Sequence, residues 1–273
     1  AIEPWNNLEM RQALSLIIHR QQIVAISYEG TSIPSRTIFV EYPGMESYIN
    51  AIKDLWIPPV SDAKTARKLI EANGWRLNPN GFYKKDRKLL SLNIQTHEAG
   101  IELRRVADVV VEQLRSAGIN ATTRAVAGST WENNKAFGNF EAVMDWDACG
   151  SVNEPWMSMN RYTTQFYRPI DQRAPGNNNF VRWNGEATER YSNIVKQIGV
   201  MPLGDSAIVP LFVEAMEIFM REQVVIPITQ AVQLVPFDTT YWIGWPTKKN
   251  NYNHPATWWN STHQIIHRLR KAK

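Results

Sequence analysis

The sequence predicts an α/β domain: helices layered on a sheet that contains at least some parallel strands. Three observations carry that reading. Through the middle of the 273-residue chain, segments with apolar residues at spacings of three and four alternate with short strand-like runs. Glycines stand where several of the helical segments stop. The composition, 44% hydrophobic and 21% charged, is that of a globular chain long enough to bury a large core.

Taken in order, residues 7–29 read as one helical segment. Leu8, Leu14, Ile17, Ile18, Ile23 and Val24 are its apolar positions, Asn6 or Asn7 its cap, and Gly30 its end. From Thr31 to Pro59 no period holds, and Pro, Ser and aromatic residues predict a long surface excursion. SDAKTARKLIEANGW follows, with Ser61 or Asp62 as N-cap, Ala66, Leu69, Ile70 and Ala72 as the inner stripe, and Gly74 as the stop. NPNGFYKKDRK reads as a turn and a polar hairpin, and LLSLNIQT as a strand.

Residues 101–117 form the clearest helix, with Leu103, Val106, Ala107, Val110, Leu114 and Ala117 on one face and Gly118 as the stop. INATTRAV and FEAVMDW are further strands, with a short helix near 129–137 between them. Helices are expected near 186–199 and 209–222, the second with a core stripe of Leu211, Phe212, Ala215, Met216 and Phe219. VVIPITQAVQLV supplies one or two strands. The tail beyond it, with four Trp, two Tyr, several Asn and little periodicity, is a poor self-contained fold and is expected to lie across another surface.

Several function classes are set aside by composition. The net charge is only +4, its one basic cluster is the terminal HRLRKAK, and no Lys/Arg stripe suits nucleic acid. No run of about 18 apolar residues exists to span a membrane. Cys149 is the single cysteine, so no intrachain disulfide forms, and no motif places a His or Asn beside it as in a nucleophilic site. His263 and His267 are four apart without the HExxH pattern, so no metal site is expected, and no cofactor. The chain begins at Ala1 without an initiator Met or an apolar signal region, which predicts a processed or internal piece.

One stretch concentrates ligand chemistry. Residues 143–156, VMDWDACGSVNEPW, pass from an apolar run into two acids, a Gly-Ser pair, an amide and a second tryptophan. The chain carries 11 Trp, many in Asn- or Pro-rich segments and off any helical core stripe. Flat indoles stack on the C–H faces of sugars, and carboxylates and amides meet hydroxyls. Trp146, Asp147, Asn153, Trp156 and Trp131 supply that combination, and His97 ends a strand where α/β ligands tend to sit. Each has a structural alternative. Trp146 and Trp131 are possible core fillers, Asp147 a turn cap, Asn153 an N-cap ahead of Pro155. The acids Asp145, Asp147 and Glu154 also suit the paired carboxylates of a glycosidase, an alternative class.

The run MRQALSLIIHRQQIVAISYEGTSIPS resembles the opening of the C-terminal lobe in extracellular solute-binding proteins of family 5, the dipeptide/oligopeptide-binding class that serves ABC transporters. The resemblance rests on Arg11, Gln12, Ala13, Leu14, Arg20, Ile23, Val24, Gly30 and Pro34, with His19 where the family has Asp. It continues through Ala66, Leu69, Gly74, Trp75, Asn80 and Gly81, then Ala107, Leu114, Gly118 and Ile119.

That likeness implies the C-terminal lobe of a periplasmic-binding-protein clamshell (cluster C type), a mixed sheet flanked by helices. It further implies a solute-binding lobe over 1–230 and a crossover tail over 231–273 that packs on the N-terminal lobe. The implied partners are that lobe, a small-molecule ligand and ABC permease subunits; the implied place is the periplasm, with a signal peptide upstream. No enzymatic step is implied. In peptide-binding members an Asp after a Trp holds the peptide amine. WDACGSVNEP puts Ser151 at that place counted from one end, and leaves Asp147 counted from the other. With the tail's YWIGWP and NHPATWWNS also resembling carbohydrate-binding members, an oligosaccharide is expected, with a peptide as the alternative.

Overall fold

The computed structural model describes residues 2–147, 150–231, 235–247, 249–250, 252–253 and 262–273, with Asn177 by its backbone alone. These divide into two compact units, 1–230 and 231–273.

In the first unit, Asn7 caps α1 (Leu8–Ile17) by accepting from Glu9 N and Met10 N. The expected continuous helix over 7–29 is two helices, since α2 (Arg20–Ser27) restarts after Ile18 and His19, whose ring nitrogen accepts from Gln22 N. The break has a visible cause. The Arg20 side chain, 1% exposed, donates to the carbonyls of Ser15 and Ile18 at 3.1 and 3.2 Å, and to Pro227 at 2.7 Å. One buried guanidinium thus satisfies carbonyls that a helix break would leave bare. Its burial lowers its pKa to about 10, so it remains the cation at neutral pH.

The expected surface excursion over 31–59 is instead part of a core. Ile38, Phe39, Met45, Tyr48, Ile49, Ile52 and Ile57 are buried, around β1 (Ile33–Pro34) and α3 (Glu46–Ala51). Aperiodic segments can still bury apolar side chains, and these pack on two later helices. Asp62 caps α4 (Ala63–Ala72) through Thr65 N, and Gly74 ends it at φ +86°. The polar hairpin forms as β2 (Arg76–Leu77), β3 (Tyr83–Lys85) and β4 (Lys88–Leu89), antiparallel throughout.

The central sheet is parallel, in the order β6–β5–β7: β5 is Ser91–His97, β6 Asn120–Val126 and β7 Ala142–Val143. Between β5 and β6 runs α5 (Ile101–Ser116), burying Leu103, Val106, Ala107, Val109, Val110 and Leu114. Parallel and antiparallel pairings therefore lie in separate small sheets. The strand expected over FEAVMDW is only two residues long, extended by Met144 N donating to Gln95 O. Trp146 consequently lies beyond it.

α6 (Gly128–Phe137) leads into β7, and α7 (Trp156–Asn160) follows it. A second core forms between α8 (Glu186–Ile198) and α9 (Ile208–Glu222), where Phe212, Ala215, Met216 and Phe219 are fully buried. β8 (Thr229–Gln230) closes the unit by pairing with β1.

In the second unit, β9 (Trp242–Ile243) pairs antiparallel with β10 (Arg270–Lys271), and α10 spans Thr262–Ile266. Phe237 and Trp245 stack at 4.7 Å. Trp258, Trp259 and Cys149 lie outside the described residues.

Candidate functional site

A cavity of about 410 Å³ opens at the C-terminal end of β5, beside the first turn of α5. Parallel strands place it there, since crossover helices leave a crevice beyond their carboxyl ends. Its wall holds three of the expected residues, His97, Trp131 and Trp146, together with Leu103, Glu132, Lys135, Asp145, Arg161 and Phe180.

His97 ends β5, and its Nδ1 accepts from Ala99 N at 3.0 Å, fixing the ring. Its Nε2 faces Gly128 so closely that a Cβ there would sit 2.7 Å away and the ring would have to shift. The His97 and Trp131 rings meet edge to face at 5.5 Å. Trp131 is 5% exposed, and its indole N–H finds no acceptor among the described residues. Gln95 ties α6 to the sheet by accepting from Asn134 Nδ2 at 2.8 Å. Trp146, in contrast, is 54% exposed.

Each cation on the wall is answered by a carboxylate, Lys135 by two. Lys135, on the same helical face as Trp131, holds its Nζ 3.4 Å from that ring's centroid and 2.8 Å from Asp145 Oδ2. Glu132 lies 3.5 Å from the same Nζ. Burial pushes the Asp145 carboxyl above its ordinary value, with Lys135 and the Trp146 N–H opposing. Arg161 is answered by Asp147, whose Oδ1 lies 3.0 Å from Nη1. That contact is ionic, because Oδ1 accepts no hydrogen bond among the described residues, while Nη1 donates to the Asp147 backbone carbonyl at 3.2 Å. Oδ2 accepts from the buried Tyr162 hydroxyl, whose pKa burial raises far above the usual phenol range.

The other expected residues stand apart from this wall. Asn153 is exposed and packs over Gly44. It does not cap α7; Glu154 does, accepting from Trp156 N at 2.7 Å and Met157 N at 3.3 Å. Trp156 packs against the second core, its Nε1 seated over Gly199, where a Cβ would be 2.3 Å away. Ser151, 1% exposed, exchanges hydrogen bonds with Ser158. The three acids that suited a glycosidase are thus engaged separately: Asp145 by Lys135, Asp147 by Arg161 and Tyr162, Glu154 at a helix start.

Sequence reasoning missed Lys135, Asp145 as an ion-pair partner, Arg161 and Phe180. The spacing of four between Trp131 and Lys135 was the one available signal for the first.

An α/β lobe with a cavity at its parallel strand ends, walled by aromatics and paired charges, defines a small-molecule binding domain. Residues 1–168 match the family described as "Bacterial extracellular solute-binding proteins, family 5 Middle", and the chain belongs to that family. The oligopeptide-binding protein AppA of Bacillus subtilis (strain 168) is 29% identical over 153 residues, covering 53% of this chain and 26% of AppA.

Among solved structures, a periplasmic oligopeptide-binding protein of Thermotoga maritima with bound mannohexaose superposes with TM-score 0.81 at 18% identity, over 99% of this chain and 50% of that one. AppA in complex with a nonapeptide gives 0.69 at 19% identity, over 100% and 49%. NikA of Brucella suis with Fe(III)-EDTA gives 0.66 at 18%, over 82% and 42%. The chain therefore spans about half the length of these relatives or less. Such proteins are the solute-binding components of ABC transporters, a class that binds its solute and does not transform it. No helix among the described residues is long and apolar enough to cross a membrane.

Proposed function

We propose that this chain supplies one lobe of an extracytoplasmic receptor that captures a small oligosaccharide and delivers it to an ABC permease. The carrying observation is the half-exposed Trp146 indole on the wall of a cavity whose cations already have carboxylate partners. A stacking platform beside cations that already have carboxylate partners suits a hydroxyl-rich ligand with apolar faces. The volume lies within the ~300–1,000 Å³ usual for small-molecule sites. The Thermotoga maritima relative that holds mannohexaose supports the same choice.

The mechanism is hinge closure against a second lobe, with residues 231–273 serving as the crossover to it. Solute bound in the cleft gains contacts only in the closed state and shifts the equilibrium towards it. No bond is made or broken. A periplasmic location follows from this role.

A peptide is the second reading, favoured by the likeness to the oligopeptide-binding AppA. Thermal shift and calorimetry of the full-length protein separate the two. Mannohexaose or cellobiose is expected to raise the unfolding midpoint, and tri- to nonapeptides are not. Stabilisation by peptides alone would replace the ligand assigned here, and turnover of a reporter glycoside would remove the receptor reading.

A further inference from the structure

Asp147 does not line the cavity. Its carboxylate is engaged from behind, by the Tyr162 hydroxyl on Oδ2 and the Arg161 guanidinium beside Oδ1. Tyr162 is anchored in turn, its ring 4.8 Å from Phe219 in the second core. Arg161 does line the cavity, with its side chain 23% exposed. Among the described residues only its Nη1 is engaged, and Nη2 and Nε donate to nothing. A guanidinium held at one corner, by the Asp147 carbonyl and the carboxylate beside it, keeps its remaining donors free for a ligand.

We infer that Arg161 is the polar anchor of the solute and that Asp147 is a positioning residue acting through it. The inference rests on the cavity being the solute site, and deepens that reading by fixing the polarity of the anchored group. A donor fork takes an oxygen acceptor, either a sugar hydroxyl or ring oxygen or a carboxylate, and repels an ammonium. The carboxylate that would hold an amine is already spent inside the protein. Trp146 then supplies the stacking face, and Arg161 sets the orientation of what stacks there.

Calorimetry on the full-length protein tests this with mannohexaose, trialanine and N-acetyl-trialanine as probes. Arg161→Met is expected to weaken the bound probe by about ten- to hundred-fold, the usual weight of a hydrogen bond to a charged group. Where trialanine binds at all, acetylating it should leave its affinity unchanged. Asp147→Asn, which keeps an acceptor for Tyr162, should weaken binding alone yet add almost nothing on top of Arg161→Met. A purely structural role would give equal losses in both backgrounds. Should Arg161→Met fail to fold, Arg161→Lys keeps the charge without the fork and is expected to recover only part of the affinity.

If the wild type binds none of the probes, the solute-site reading falls and this inference with it. If a probe binds and the Arg161 variants stay within two-fold, only the inference falls. It falls equally if acetylation abolishes trialanine binding and Asp147→Asn costs the same in both backgrounds, for then the carboxylate holds the amine directly.

Discussion

Lys135 Nζ lies 2.8 Å from Asp145 Oδ2, with Lys135 almost wholly buried and the Trp131 ring stacked against its charge. Both residues belong to the cavity wall. Their pairing turns a lysine on a weakly amphipathic helix into the support for the aromatic surface.

Removing one partner of a buried pair leaves the other uncompensated, which costs about 3–5 kcal/mol. Lys135→Met is therefore expected to lose that much at pH 7. The pH dependence follows from Asp145. Burial already holds its carboxyl above the ordinary 3.8, and Lys135 is the main opposing influence. Without the lysine the folded value rises further while the unfolded value stays. Between the two, the folded state binds more protons, so stability falls as pH rises through that window and returns as pH is lowered towards 3.8. Urea denaturation at pH 4 and pH 7 measures it; an equal deficit at both would contradict the pairing.

Trp146 and Trp156 should behave as opposites. Trp146→Ala removes an exposed ring, so stability should hold while solute affinity drops by about 1–3 kcal/mol. Trp156→Ala removes a ring seated on the second core and should destabilise by about 2–4 kcal/mol with little direct effect on affinity. Calorimetry and denaturation on both variants decide it. An affinity loss confined to Trp156→Ala would move the site.

Gly199→Ala tests the same packing from the other side. Its Cβ would stand 2.3 Å from Trp156 Nε1, so the indole must move, at a cost of about 1–3 kcal/mol. A neutral substitution would show that Trp156 is not held there.

Arg20→Met leaves the carbonyls of Ser15, Ile18 and Pro227 without their buried donor. A loss of about 3 kcal/mol or more is expected, read from the urea midpoint. A loss under ~1 kcal/mol would mean that the helix break has another cause.

What the sequence disclosed follows from which forces are local. The face of α5 and the caps Asn7 and Asp62 obey spacing and end chemistry, and were readable. The break before Arg20 was not, because its guanidinium reaches Pro227, far along the chain. Ile38, Phe39 and Met45 carry no period, and they are buried in a cluster that the later helices α8 and α9 help to form. At the site, His97, Trp131 and Trp146 announced themselves by residue type. Lys135 and Arg161 read as solvated charges until Asp145 and Asp147 were placed beside them.

The most direct measurement is a crystal structure of the full-length protein grown with mannohexaose. A pyranose face lying flat on the Trp146 indole at about 4 Å, its oxygens within reach of Arg161, is the predicted result. An intact sugar seated elsewhere, with both side chains untouched, or a sugar found cleaved, would contradict it.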